Sequence, residues 1–201
     1  FNYAVIKNAY QAIALQDPAA NANPKLTLNE CIIDNAFDAG IIAVNSSITA
    51  KNLLVSNCGQ NIALAKGGKY QFTHCTVASY SNNFILHKNP VLFISNFIRV
   101  NNVAQPQDMD AAFTNCIFWG DSSFAVENEV VTQKDNGKAF DVRFVNVLWR
   151  VNATPTNITP PVPLVVINNL APLFDSINTD KNYYDFRIKG ESPAKDKGIN
   201  T

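Results

Sequence analysis

Acidic side chains gather late in the chain: Asp108 and Asp110, then Asp121, Glu127, Glu129 and Asp135, with Trp119 among them. Carboxylates accept sugar hydroxyls or bind hard cations, and an aromatic ring stacks on a pyranose face. Asp108, Asp110, Trp119, Asp121, Glu127 and Glu129 are therefore the candidate ligand-binding residues, for a carbohydrate or calcium. Acidic surface loops also arise for solubility alone, which is the competing reading. Apart from calcium no cofactor is indicated, because the four cysteines and two histidines contain no Cys-x-x-Cys or His pair. His74 fills a place held by asparagine in related segments and so reads as a bend residue. His87, beside Lys88 at a strand end, lacks the stacked partner that a general base requires.

The elements that must position these residues are written in a repeat. The segments LTLNECIID, ITAKNLLVS, YQFTHCTVA and LFISNFIRV align, followed by AAFTNCIFW after a shorter gap. Their marker residues Cys31, Leu53, Cys75 and Phe97 lie 22 positions apart, with Cys116 a further 19 on. Three residues before the markers stand Leu28, Ala50, Phe72, Ile94 and Phe113. A fixed period in this range signals stacked repeats. Within each repeat apolar residues alternate, the pattern of strands with one buried face. The polar step before each marker predicts a bend, and asparagine there tolerates left-handed backbone angles. A second alternating run follows each marker, at Ile41/Ala43, Ile62/Leu64, Phe84/Leu86 and Phe124/Val126. Stacked repeats would superpose like side chains inside, giving Cys/Leu/Cys/Phe/Cys, Leu/Ala/Phe/Ile/Phe and Ile/Ile/Phe columns. In that register Cys31 and Cys75 are two rungs apart and Phe97 separates Cys75 from Cys116, so all four cysteines read as buried free thiols.

The period, the asparagine bends and two phrases resemble the right-handed parallel β-helix, or pectin-lyase-like, family. The phrases are Asn115-Cys116-Ile117-Phe118-Trp119-Gly120 and Asp185-Phe186-Arg187-Ile188, the latter with Ser192-Pro193-Ala194, Asp196 and Gly198. They are similar to the last coils and closing segment of secreted or surface lipoprotein members from polysaccharide-degrading bacteria. The resemblance implies an all-β solenoid in one domain over residues 1–201. Stacked coils would fill residues 1–153, with a Pro-rich segment, a last strand and a closing tail over 154–201. The chain starts without Met inside an alternating run, which is expected of the C-terminal part of a longer protein.

Family members use outward-facing residues on neighbouring coils for catalysis. The outward columns read Ile32, Leu54, Thr76, Ile98, Ile117, Leu148; Thr27, Thr49, Gln71, Phe93, Ala112, Arg143; and Ile42, Ala63, Ile85, Ala125. None holds paired carboxylates or an acidic cluster with Arg or Lys, so no catalytic residue is assigned. The first column is apolar, and Ile32, Leu54, Ile98, Ile117 and Leu148 call for a cover, either the C-terminal segment or a partner. Arg99 breaks the pattern and predicts a bulge that turns Ile98 or Val100 inward. Residues 101–110 and 127–141 read as insertions. Zero formal net charge with 16% charged residues argues against nucleic acid. No apolar run is long enough to span a membrane.

These readings converge on a secreted or cell-surface scaffold that binds carbohydrate without catalysis. The alternatives are a polysaccharide lyase or glycoside hydrolase with its site in preceding coils or the late insertions, and a structural adhesion protein.

Overall fold

The computed structural model describes residues 1–121, 126–159 and 166–201, and among them it is all-β, with nineteen strands and no helix. Seven strands form one parallel sheet: Val5–Lys7, Ile32–Asp34, Leu54–Ser56, Thr76–Ser79, Ile117–Gly120, Val147–Trp149 and Val166–Asn168. Eight form a second parallel assembly in which Ala39–Lys51 and Gln60–Thr73 are long enough to pair along two separate arms. Gln11–Gln16, Leu92–Ser95 and Val130–Gln133 continue the first arm. Leu26–Asn29, Met109–Thr114 and Phe140–Val145 continue the second. The chain visits the sheet, the first arm and the second arm in that order, then returns one rung further along.

Asparagine makes these circuits close. Positive φ falls at Glu30, Asn52, His74, Asn115 and Asn146, between the second arm and the sheet, and at Asn8, Asn35 and Asn57, between the sheet and the first arm. A short amide side chain tolerates the left-handed angles, and twelve of the 27 asparagines adopt positive φ. The buried face then stacks by type. Phe72, Phe113 and Phe144 superpose with ring centroids 5.3 and 5.0 Å apart, and Phe118 and Trp149 meet this column edge-on. Such contacts add about 0.5–1.5 kcal/mol per pair beyond area burial.

The 22-residue register holds through Cys75 and then fails. Leu92–Ser95 pairs with Ile62–Leu64 on the first arm, not with Phe72 on the second, so Ile94 leaves the Leu28–Ala50–Phe72 column and Phe144 completes it. Phe97 is not in the cysteine column. Phe97–Val100 and Val103–Pro106 form an antiparallel hairpin, and Thr76–Ser79 pairs directly with Ile117–Gly120, so Cys75 neighbours Cys116. Ile98 accordingly leaves the apolar row and faces Gln105 in the hairpin. No bulge turns Val100 inward; it is exposed, while Arg99 lies over the Phe97 ring. Phe84 and Leu86 form no second strand and are exposed, so Leu92 takes their place in the Ile41–Ile62 column. Strands Val103–Pro106, Met109–Thr114 and Val130–Gln133 run through the stretches read as insertions. Phe124 and Ala125 of the expected runs lie outside the described residues, as do residues 160–165 of the Pro-rich segment.

The C-terminal residues lie along the outer face of the seven-stranded sheet. Phe174–Asn178 and Tyr183–Ile188 form a hairpin whose Phe174, Tyr184 and Phe186 surround Tyr80 at 6.2–6.4 Å. Beyond it, the bend residues hold the tail: Asn115 exchanges two hydrogen bonds with the Ile199 backbone (2.8 and 2.9 Å), and Asn146 donates to the Lys197 carbonyl (2.5 Å). His74 meets Thr201 Oγ1 at 2.8 Å. Ile117, Leu148 and Ile167 lie beneath this tail with Ile188 opposite, leaving a cavity of about 190 Å³.

Candidate functional site

The six candidate ligand residues separate into two groups on different parts of the molecule. Asp108 and Asp110 line a groove over the outer face of the second arm. Its floor is an outward column that the sequence reading did not assemble. Ser47, Lys69, Asp110 and Asp141 pair rung by rung, beside a second column of Thr49, Gln71, Ala112 and Arg143. Residues 18–24, bounded by Pro18 and Pro24, form one wall of the part over Thr49, Gln71 and Asp110, which encloses about 560 Å³, and Asp108 and Asp141 line its continuation with Asp110. Asp110 and Asp141 are thus carboxylates on neighbouring rungs, a pairing that the three columns considered from sequence lacked. Arg143 bridges them with one guanidinium nitrogen to each, and Thr159 Oγ1 donates to Asp141 at 2.6 Å. Asp108 accepts from the Ala139 backbone at 3.0 Å. Lys69 and Gln71 are exposed and Thr49 is half-buried, and none of the three side chains has a hydrogen bond or ion pair among the described residues.

The groove floor rests on Tyr70, buried beneath it. Its hydroxyl accepts from Ser46 N (3.2 Å) and donates to the Gly67 carbonyl (3.1 Å), fixing the bend at Gly67 and Gly68, both at positive φ. Burial pushes the Tyr70 hydroxyl up to about 12, against a smaller opposing effect of the Ser46 amide.

Glu129 and Asp121 belong to the other group, at the corner between the seven-stranded sheet and the first arm. Glu129 is fully buried and cannot serve as a surface ligand residue. Its Oε1 meets His87 Nε2 at 2.9 Å and accepts from Arg150 Nη2 at 2.5 Å, while Oε2 accepts from Val91 N at 3.2 Å. Arg150 Nη2 also donates to the carbonyls of Asp121 and Val126. His87 therefore does have a partner, reached from 42 residues away. Asp121 Oδ2 accepts from Ser81 N at 2.6 Å. Gly120 makes room for the network, since any side chain there would strike Glu129 and His87. Trp119 is half-buried beside the Tyr80 hydroxyl, which burial pushes well up, with Asp121 adding to the effect. Glu127 is exposed.

No cluster of three or more His, Cys, Asp or Glu side chains suited to a metal occurs among the described residues. No helix is long and apolar enough to cross a membrane among them. Comparison with known proteins gave no match: no family model, curated protein or solved structure proved similar to the chain.

Proposed function

We propose that this chain is a right-handed parallel β-helix that binds carbohydrate without catalysis, as a secreted or bacterial surface scaffold, with the glycan lying in the groove over Ser47, Lys69, Asp110 and Asp141. The observation that carries this reading is the pair of outward columns on that floor, polar at every place but Ala112. Hydroxyl, amide, ammonium and carboxylate groups recur at strand spacing, about 4.8 Å, which offers a repeating polymer a repeating set of donors and acceptors. Thr49, Lys69 and Gln71 supply unpaired hydrogen-bonding groups, and Arg143 holds the two carboxylates in fixed positions. A floor of mixed sign suits hydroxyl-rich ligands better than a phosphate backbone, which needs clustered cations. Both carboxylates are engaged by a single guanidinium, which favours a binding role over acid–base chemistry. The bound polymer would be a surface or matrix polysaccharide.

A polysaccharide and glycan array with the wild-type chain and the Asp108→Ala/Asp110→Ala variant tests this. The expected result is retention of one glycan class by the wild type and a loss of about tenfold or more in the variant, which keeps its melting transition. An unchanged affinity in the folded variant would remove the groove as the site.

A further inference from the structure

Cys75 and Cys116 hold the same interior place on adjacent rungs. Phe72 pairs with Phe113 and Thr76 with Ile117 on either side of them, and Ile117 N donates to the Cys75 carbonyl at 2.9 Å. Both side chains point into the core and are 1% exposed. The two thiols are close enough to act on each other electrostatically. Each also donates to backbone carbonyls, Cys75 to Thr73 at 3.4 Å and Ala50 at 3.9 Å, Cys116 to Thr114 at 3.3 Å and Phe72 at 3.6 Å. Adjacent in-register strands lie about 4.8 Å apart, inside the roughly 4.4–6.8 Å Cα range that a disulfide spans.

The other two cysteines lack this geometry. Leu53 separates Cys31 from Cys75, and Cys58 sits at a different bend, where its sulfur accepts from Ala36 N.

We propose that Cys75 and Cys116 are a redox site: under oxidising conditions they join in a disulfide that staples one circuit of the chain to the next. The chemistry needs a disulfide oxidant such as oxidised glutathione. One cysteine thiolate attacks it and expels a glutathione thiolate, and the second cysteine then attacks the mixed disulfide and expels the other. Two S–H bonds are lost, one S–S bond forms, and one oxidised glutathione becomes two reduced molecules. Burial, then contact with Cys75, holds the Cys116 thiol well above its ordinary range, so thiolate is scarce in the closed core and exchange takes place while the chain folds or locally opens.

The staple encloses both excursions of that circuit, residues 80–91 and the hairpin of Phe97–Val100 with Val103–Pro106. Its 41 intervening steps remove loop-closure entropy from the unfolded chain.

The test is refolding of the reduced chain in a glutathione redox buffer and, separately, in reductant. Expected in the first are two titratable thiols in denaturant instead of four, a mass lower by two hydrogens, and a non-reduced peptide joining Cys75 to Cys116. The melting temperature should rise by about 5–10 °C and fall back on reduction. Cys75→Ser and Cys116→Ser should each abolish the bridge, and Cys31→Ser and Cys58→Ser should keep it. Four thiols after oxidative refolding, or a bridge that includes Cys31 or Cys58, would overturn the proposal.

Discussion

The groove and the corner network use the same side-chain chemistry and differ in what is left over. In the groove, Asp110, Asp141 and Arg143 pair at a surface where each remains between a third and a half exposed, and Lys69, Gln71 and Thr49 stay unengaged. At the corner, Glu129 is fully buried and both its oxygens are taken by His87, Arg150 and Val91. Among the described residues only the Arg150 Nε, itself buried, lacks a partner there, while the Glu129 carboxylate is fully engaged, so the corner is committed to holding the chain together. Exposed polar groups with spare capacity can exchange water for a ligand. Residue type alone would therefore have assigned Glu129 and Asp110 the same role, and their surroundings assign them opposite ones.

The sharpest way to break that contrast is to remove one carboxylate from each region. Glu129→Ala leaves the Arg150 guanidinium without its counter-charge and His87 without its hydrogen-bond partner, and should cost about 3–5 kcal/mol. At about 2–4 °C per kcal/mol for a chain of this size, thermal unfolding should begin roughly 10 °C lower. Asp110→Ala, in contrast, removes an exposed pair worth about 0–1 kcal/mol. Equal losses for the two variants would show that the corner is not the structural element described. Gly120→Ala probes the same corner without touching a charge. Its methyl group meets Glu129 and His87, and overpacking of this kind costs about 1–3 kcal/mol by calorimetry or denaturant melts. A neutral outcome would mean that the network yields easily, contrary to its burial.

What could be read from the sequence divides along a related line. The bends, the alternating strands and the interior columns up to Cys75 were legible, because they depend on local backbone preference and on a period repeated three times. The fourth circuit was not, since LFISNFIRV reproduces the 22-residue interval by coincidence: its first half belongs to the other arm and its second half to the hairpin. A local signal did contradict it. Asn101-Asn102, both at positive φ between paired Val100 and Val103, is the two-residue turn that closes a hairpin. The backbone at Asn96 also lacks the positive φ that marks Asn52, His74 and Asn115. Asp110 and Asp141 were within reach as well, since each stands six places before its marker, as Lys69 and Ser47 do. The His87–Glu129–Arg150 contact was not, because long excursions with no fixed length bring its members together.

Binding sharpens the contrast from the groove side. Lys69→Ala with Gln71→Ala removes unengaged groups only, so stability should move by no more than about 0.5 kcal/mol. Affinity for the retained glycan should fall about tenfold, equivalent to about 1.4 kcal/mol, by titration calorimetry. A stability loss comparable to that of Glu129→Ala would place these residues in the framework instead.

A modest effect at neutral pH is expected at Tyr70, where the groove rests on a buried hydroxyl. Tyr70→Phe leaves the Ser46 amide unpaired and should cost about 1 kcal/mol. Its signature appears in alkali. A tyrosine ionises near 10 in the unfolded chain but near 12 here, because burial disfavours the phenolate. Between those values the folded chain binds more protons than the unfolded one. The stability attached to Tyr70 is therefore complete below pH 10 and lost as pH rises through 12, on the order of 2–3 kcal/mol in all. Cys58, also pushed up to about 12 by burial, carries a loss of the same sign that both proteins share. Subtracting the Tyr70→Phe curve from the wild-type curve isolates the phenol. Parallel curves between pH 10 and 12 would mean that the hydroxyl meets water in the folded state, and the groove floor would then lack the buried anchor that distinguishes its foundation from its surface.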